Sequence, residues 1–179
     1  YSRQNPPTQR IAAQRIDTAL HGGTHFDGAM HATDNRNGDM AHLPLDYLFN
    51  KAVVVDISKH MHDWAVITPQ MIEGAGADIR EGDILILHTG WHRHYEGRPQ
   101  QDLVKYFCYH PGPSLDTLKW MLQKKIKWWA MDTGSCDHAM NTSIRTSRPA
   151  LAEALTNKHG TTPGEYFGTF PTHHQKPAR

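Results

Sequence analysis

Apolar residues in this chain fall into short β-branched runs and helically spaced sets, separated by polar turns. Ala52 to Ser58 (AVVVDIS) has the length and composition of a buried strand. Thr68-Pro69 has the form of a helix start, with Thr68 capping and Pro69 in the first turn, and predicts a short helix over 69–74. Asp83 to His88 (DILILH) predicts a second interior strand, closed by Thr89-Gly90. Ser114 caps a helix whose Leu115, Leu118 and Leu122 share one face, and this leads into Lys127 to Asp132 (KWWAMD) as a third interior strand. The Trp128-Trp129 pair in that strand is expected to be core or subunit contact. Ser147 and Pro149 open a last helix, ALAEAL, that stops near Gly160.

Strands alternating with helices predict an α/β fold, and neither a repeat nor a linker divides the chain. Its 179 residues are therefore expected to form one domain. Residues 1–20 are polar, carry Pro6-Pro7 and predict an arm leading into the first motif; Thr169 to Arg179 has no periodic pattern and predicts a mobile or cut-short end.

Composition narrows the partners. Lys and Arg total 19 against 18 Asp and Glu, a formal net charge of +1, which argues against nucleic acid or an acidic membrane and leaves a small polar molecule. No run approaches the ~20 apolar residues of a membrane span, and YSRQNPPTQR lacks the apolar core of a signal peptide, so a soluble protein is expected. Cys108 and Cys136 are too few for a disulfide framework, which points to a reducing, cytoplasmic setting. Histidine is abundant, with 14 residues, most of them clustered at 21–31, 60–62, 88–94 and 173–174.

The first cluster carries chemistry. In His21-Gly22-Gly23-Thr24-His25-Phe26-Asp27-Gly28-Ala29-Met30-His31, three histidines and one aspartate occupy odd positions, so in extended backbone all four side chains share a face. A helix would also join His21 to His25, but Gly22 and Gly23 inside it would cost ~1 kcal/mol each relative to Ala. Two imidazoles and a carboxylate, His21, His25 and Asp27, form a nitrogen and oxygen donor set suited to zinc, manganese or iron, with positions left for water. The alternative is an accidental pair in a histidine-rich chain, against which stand Asp27, His31 and the flexible glycines. His31 is expected to act as general base beside a bound water, or else as a third ligand or supporting group.

The same stretch resembles the His-x-Gly-Thr-His-x-Asp-x-Pro-x-His signature of the cyclase family of metal-dependent hydrolases, which includes kynurenine formamidase and isatin hydrolase. The resemblance continues through AVVVDIS, EGDILILHTGW (Glu81 to Trp91), HPGPS (His110 to Ser114) and MDTGSCDH (Met131 to His138), in family order. It implies a swivelling β/β/α fold, zinc or manganese as cofactor, and hydrolysis of an amide or lactone bond in a small molecule. His21, His25 and Asp27 would be the ligands and His31 the catalytic base.

The chain departs from the signature at Ala29, where proline is usual, which frees φ but removes no ligand. A further histidine and glutamate that complete the site in family members have no clear match before Arg179, and His173-His174 is only a loose candidate. The strand that precedes the motif in the family is not evident either, so both ends are expected to be short of the pattern. Exposed strand edges in such a protomer predict a homodimer or higher homo-oligomer.

Other positions rank below these. His88, His92 and His94 flank Trp91 after a strand, where a solvated loop is the simpler expectation and a pocket wall with Trp91 as an aromatic platform for substrate the sharper one. Asp132, Ser135 and Asp137 follow a strand, where α/β proteins place ligand contacts, and Asp132 and Ser135 are candidates for substrate binding. His60 and His62 are expected in loops.

Overall fold

A computed structural model describes residues 15–18, 22–32 and 39–167. His21 and the His173-His174 pair lie outside the described residues.

Five strands occur among the described residues: β1 (Ala52–Asp56), β2 (Val66–Ile67), β3 (Ile84–His88), β4 (Gly112–Pro113) and β5 (Trp128–Met131). The helices are α1 (Ala29–Ala32), α2 (Pro69–Glu73), α3 (Leu103–Cys108), α4 (Leu115–Gln123), α5 (Ile144–Ser147), α6 (Pro149–His159) and α7 (Pro163–Phe167). The main sheet is parallel with order β1-β3-β5, and β2 pairs with β4 in a second small parallel sheet. The architecture is α/β, as the alternation of runs predicts.

Register explains where the core sits. Val53, Leu85 and Trp129 are partners across the three strands, as are Val55, Leu87 and Met131. These residues share one face, which packs on Ile57, Ile67, Ile72 and Met121. Each fully buried aliphatic side chain there contributes roughly 1.5–3 kcal/mol. The opposite row contains Val54, which is 63% exposed, so β1 is one-sided rather than buried on both faces. Among the described residues only β3 is interior. A three-stranded sheet must have two edges, and β1 and β5, expected from composition to be interior, occupy them.

Local signals place the ends of most elements. The Ser114 hydroxyl accepts from the Thr117 amide at 3.1 Å and caps α4, which carries Thr117 and Met121 inward. Thr68 holds the N-cap position of α2 in extended backbone, but its side chain makes no capping bond, so Pro69 alone supplies the start signal. Arg148 rather than Ser147 precedes α6, because Ser147 already belongs to α5. Gly160 ends α6 with φ 71°, and its amide donates to Thr156 at 2.7 Å. A second apolar cluster joins Trp64, Ala139, Met140 and Leu155. Gly112 of β4 lies against it so closely that a Cβ would fall 2.2 Å from both the Cα and the N of His138.

Candidate active site

A cavity of about 1590 Å³ opens along β5, between the loop 22–29 on one side and the loop 132–136 on the other. Tyr47, Tyr106, Phe107 and Trp128 give it aromatic walls, and His25, Asp27, His92, Arg98 and Asp132 give it polar ones.

The first motif is held in place by its aromatic residue. Phe26 meets the Trp128 ring edge-on at 5.7 Å and the Tyr47 ring at 6.4 Å. Tyr47 is itself fixed to the edge of the sheet. Its hydroxyl donates to the Lys127 carbonyl at 2.7 Å, and the Trp128 indole donates to the Tyr47 carbonyl at 3.2 Å. Phe26 thus aims its two neighbours, His25 and Asp27, in a common direction, since alternate residues of extended backbone share a face.

The His25 Nδ1–H donates to the Gly23 carbonyl at 2.7 Å, which turns Nε2 towards Asp27 Oδ1 at 3.3 Å. Gly23 reaches this geometry with φ 67°, a left-handed conformation that glycine adopts without strain. Two ligands each ~2.1 Å from one ion are ~3–3.5 Å apart, a spacing that the His25–Asp27 pair matches. The two described residues of the motif, His25 and Asp27, fit such an ion.

The same-face series ends there. Helix α1 begins at Ala29, and the His31 amide donates to the Gly28 carbonyl at 2.9 Å, so His31 stands on a helical turn. Ala29 and Met30 favour helix, and the two-residue period does not carry past Gly28. His31 is exposed beside the loop. The half-buried Cys136 thiol faces the site, with its pKa pushed up to about 12 by desolvation and further by the charges of Asp27 and Asp137, so it is no nucleophile.

A second group of donors gathers at the ends of β3 and β5. The Thr89 amide and hydroxyl donate to Asp132 Oδ1 at 2.8 and 2.5 Å, which fixes the carboxylate plane. Asp132 Oδ2 then lies 2.7 Å from His92 Nδ1 and 3.6 Å from His88 Nδ1. Burial opposes the charge of Asp132, and the bonds from Thr89 and His92 outweigh it, leaving the pKa below the usual value. One ligand atom from each of the three residues lies within 4.8 Å of the others. His88 and His92 are therefore parts of a cluster at the strand ends, with His92 still largely exposed. Gly90 (φ 70°) turns the chain so that His92 returns over the strand end. The four-residue spacing after a strand was the available signal, but Asp132 arrives only through the β3–β5 pairing.

Two neighbours also differ from expectation. Trp91 is 1% exposed, and its indole donates to the Tyr106 carbonyl at 3.2 Å, so it is core and offers a ligand no platform. His94 is buried edge-on against Trp91, ring centres 5.0 Å apart, and its Nδ1–H donates to the Gln100 carbonyl at 3.1 Å. Asp132 and Ser135 do line the cavity, and the Ser135 hydroxyl accepts from the Asp137 amide at 3.1 Å. His60 and His62 are exposed, at a 3₁₀ turn and in the segment after it.

No helix among the described residues is long and apolar enough to cross a membrane.

Solved structures share this fold. Isatin hydrolase A from Labrenzia aggregata bound to benzyl benzoate superposes with a TM-score of 0.62 at 23% identity, over 71% of this chain and 53% of that one. An isatin hydrolase bound to the product analogue thioisatinate gives 0.61 at 23% identity, over 75% and 55%. Isatin hydrolase A from Ralstonia solanacearum gives 0.56 at 20%, over 66% and 49%. This chain spans about half the length of each. No protein of curated function matches it. The family model described as "Putative cyclase" matches residues 1–138, well over half of the sequence, and the chain belongs to that cyclase family.

Proposed function

We propose that this chain is a metal-dependent hydrolase that opens an amide, cyclic amide or lactone bond in a small aromatic or cyclic molecule. One observation carries the reading: His25 Nε2 stands 3.3 Å from Asp27 Oδ1, on a loop beside an aromatic-walled cavity. His21, His25 and Asp27 would hold zinc or manganese. A divalent ion bound there lowers the pKa of water towards ~7 and polarises a carbonyl.

The chain supplies the rest. The Gly23 carbonyl fixes His25 in the tautomer that presents Nε2. Phe26, Tyr47 and Trp128 form an apolar wall against which a flat substrate ring can lie. His31, one helical turn beyond the loop, takes the proton from water as it attacks and returns it to the leaving nitrogen or oxygen. The nitrogen or oxygen leaves neutral, and the carboxylate product remains.

The test joins metal content to turnover on N-formyl aromatic amines, cyclic imides and lactones. His25→Ala and Asp27→Ala are expected to lose metal and activity together. His31→Ala is expected to keep its metal while kcat falls roughly 10²- to 10⁴-fold. Loss of metal in His31→Ala would make His31 a ligand. Full metal content with no turnover of any compound would replace hydrolysis by metal binding without chemistry.

A further inference from the structure

Three donors lie outside the motif, and their arrangement has a direction. His88 ends β3, His92 follows one turn later, and Asp132 follows β5, so adjacent parallel strands deliver all three to their C-terminal ends. Ligands bind α/β sheets at that end. Thr89 occupies Oδ1 of Asp132 with two hydrogen bonds, which turns Oδ2 towards both imidazoles. A carboxylate oriented by its own hydrogen bonds, facing two imidazoles, is the pattern by which proteins aim metal ligands.

We propose that His88, His92 and Asp132 form a second divalent-metal site, separate from the His21, His25 and Asp27 motif, on the wall of the same cavity. One ligand atom of each residue lies within 4.8 Å of the others, and Asp132 Oδ2 stands 3.6 Å from His88 Nδ1 and 2.7 Å from His92 Nδ1. A zinc ion has room among atoms so spaced, with small side-chain rotations bringing each to ~2.0–2.2 Å. To bind the ion through its ring nitrogen next to Asp132, His92 must shift the Nδ1 proton that now points at Oδ2 to Nε2. Three protein ligands leave at least one position open, and His92 and Asp132 line the cavity, so that position is available to an anionic group entering it. Two imidazoles with one carboxylate favour zinc, cobalt or nickel over magnesium or calcium, which prefer oxygen alone.

The proposal does not depend on hydrolysis by the motif, and the experiment keeps the two apart. The full chain is stripped of metal, and the motif site is removed by His25→Ala with Asp27→Ala. Titration with Zn²⁺ by calorimetry, and with Co²⁺ by visible absorption, is expected to find one equivalent still bound. Adding His92→Ala, at a side chain 47% exposed whose loss leaves the fold intact, lowers that affinity at least about tenfold. Adding His88→Ala as well abolishes it, with far-ultraviolet circular dichroism unchanged. No binding in the motif-less variant overturns the proposal, as does binding that survives loss of both His88 and His92, which would assign the ion to other histidines.

Discussion

Lowering the pH from 7 to 5, with chelator present to exclude metal release, is expected to destabilise the fold by about 4 kcal/mol through His110 and His138. Both are 1% exposed. The His110 pKa is lowered to about 4, chiefly by burial, against which its bond to the Pro111 carbonyl and the charge of Asp137 work weakly. The His138 pKa is lowered to about 3, again chiefly by burial, with the Trp64 carbonyl opposing. His138 is neutral for a structural reason as well: Nδ1 accepts from the Met140 amide at 3.1 Å while Nε2 donates to Trp64 at 3.1 Å. An unfolded histidine titrates near ~6.5. Above that pH both states are neutral and the full stability is present. As the pH falls below it, the unfolded chain takes up protons that the folded chain refuses until about 4 for His110 and about 3 for His138. Each group then removes up to ~1.4 kcal/mol per pH unit, or roughly 1.9 kcal/mol between pH 7 and 5. His159 shifts in the same direction but is largely solvated and adds little. Urea unfolding followed by tryptophan fluorescence at pH 7, 6 and 5 measures the loss, and His138→Asn should remove about half of the slope. Stability that is flat or rising towards pH 5 would refute the assignment of both histidines as buried and neutral.

Two further outcomes follow from single contacts. Gly112→Ala sets a methyl group against the His138 backbone, which cannot rotate away, and should cost ~3 kcal/mol and lower Tm by roughly 10 °C in a thermal melt; an unchanged Tm would show that β4 has slack there. Phe26→Ala removes the edge-on contacts that aim the motif while leaving every ligand in place, and should weaken Zn²⁺ binding about tenfold by chelator competition with Tm nearly constant; equal affinity would mean that the loop orients itself.

The parts of this structure legible in the sequence are those decided over a few residues. AVVVDIS, DILILH and KWWAMD name their strands through β-branched and aromatic content, and Ser114 names the start of α4 through its own hydroxyl. His25 and Asp27 are legible as a pair because two residues of extended backbone suffice to align them. The same argument failed at His31, where helix α1 intervenes and changes the period. Neighbourhood across the sheet was not legible. That β1 and β5 are edges depends on how many strands pair, and that Asp132 meets His88 and His92 depends on β3 and β5 lying side by side. Trp91 was misjudged because its position after a strand says nothing of the 3₁₀ turn that swings the indole inward.

Trp128 and Trp129 are neighbours in sequence with different contacts. Trp129 packs with the core row, whereas Trp128 bears on Phe26. Because successive residues of a strand face opposite ways, a substitution at 128 alters the packing of the motif loop with little effect on the row that secures folding. The wall of the cavity can therefore change at this position without compensating mutations in the core.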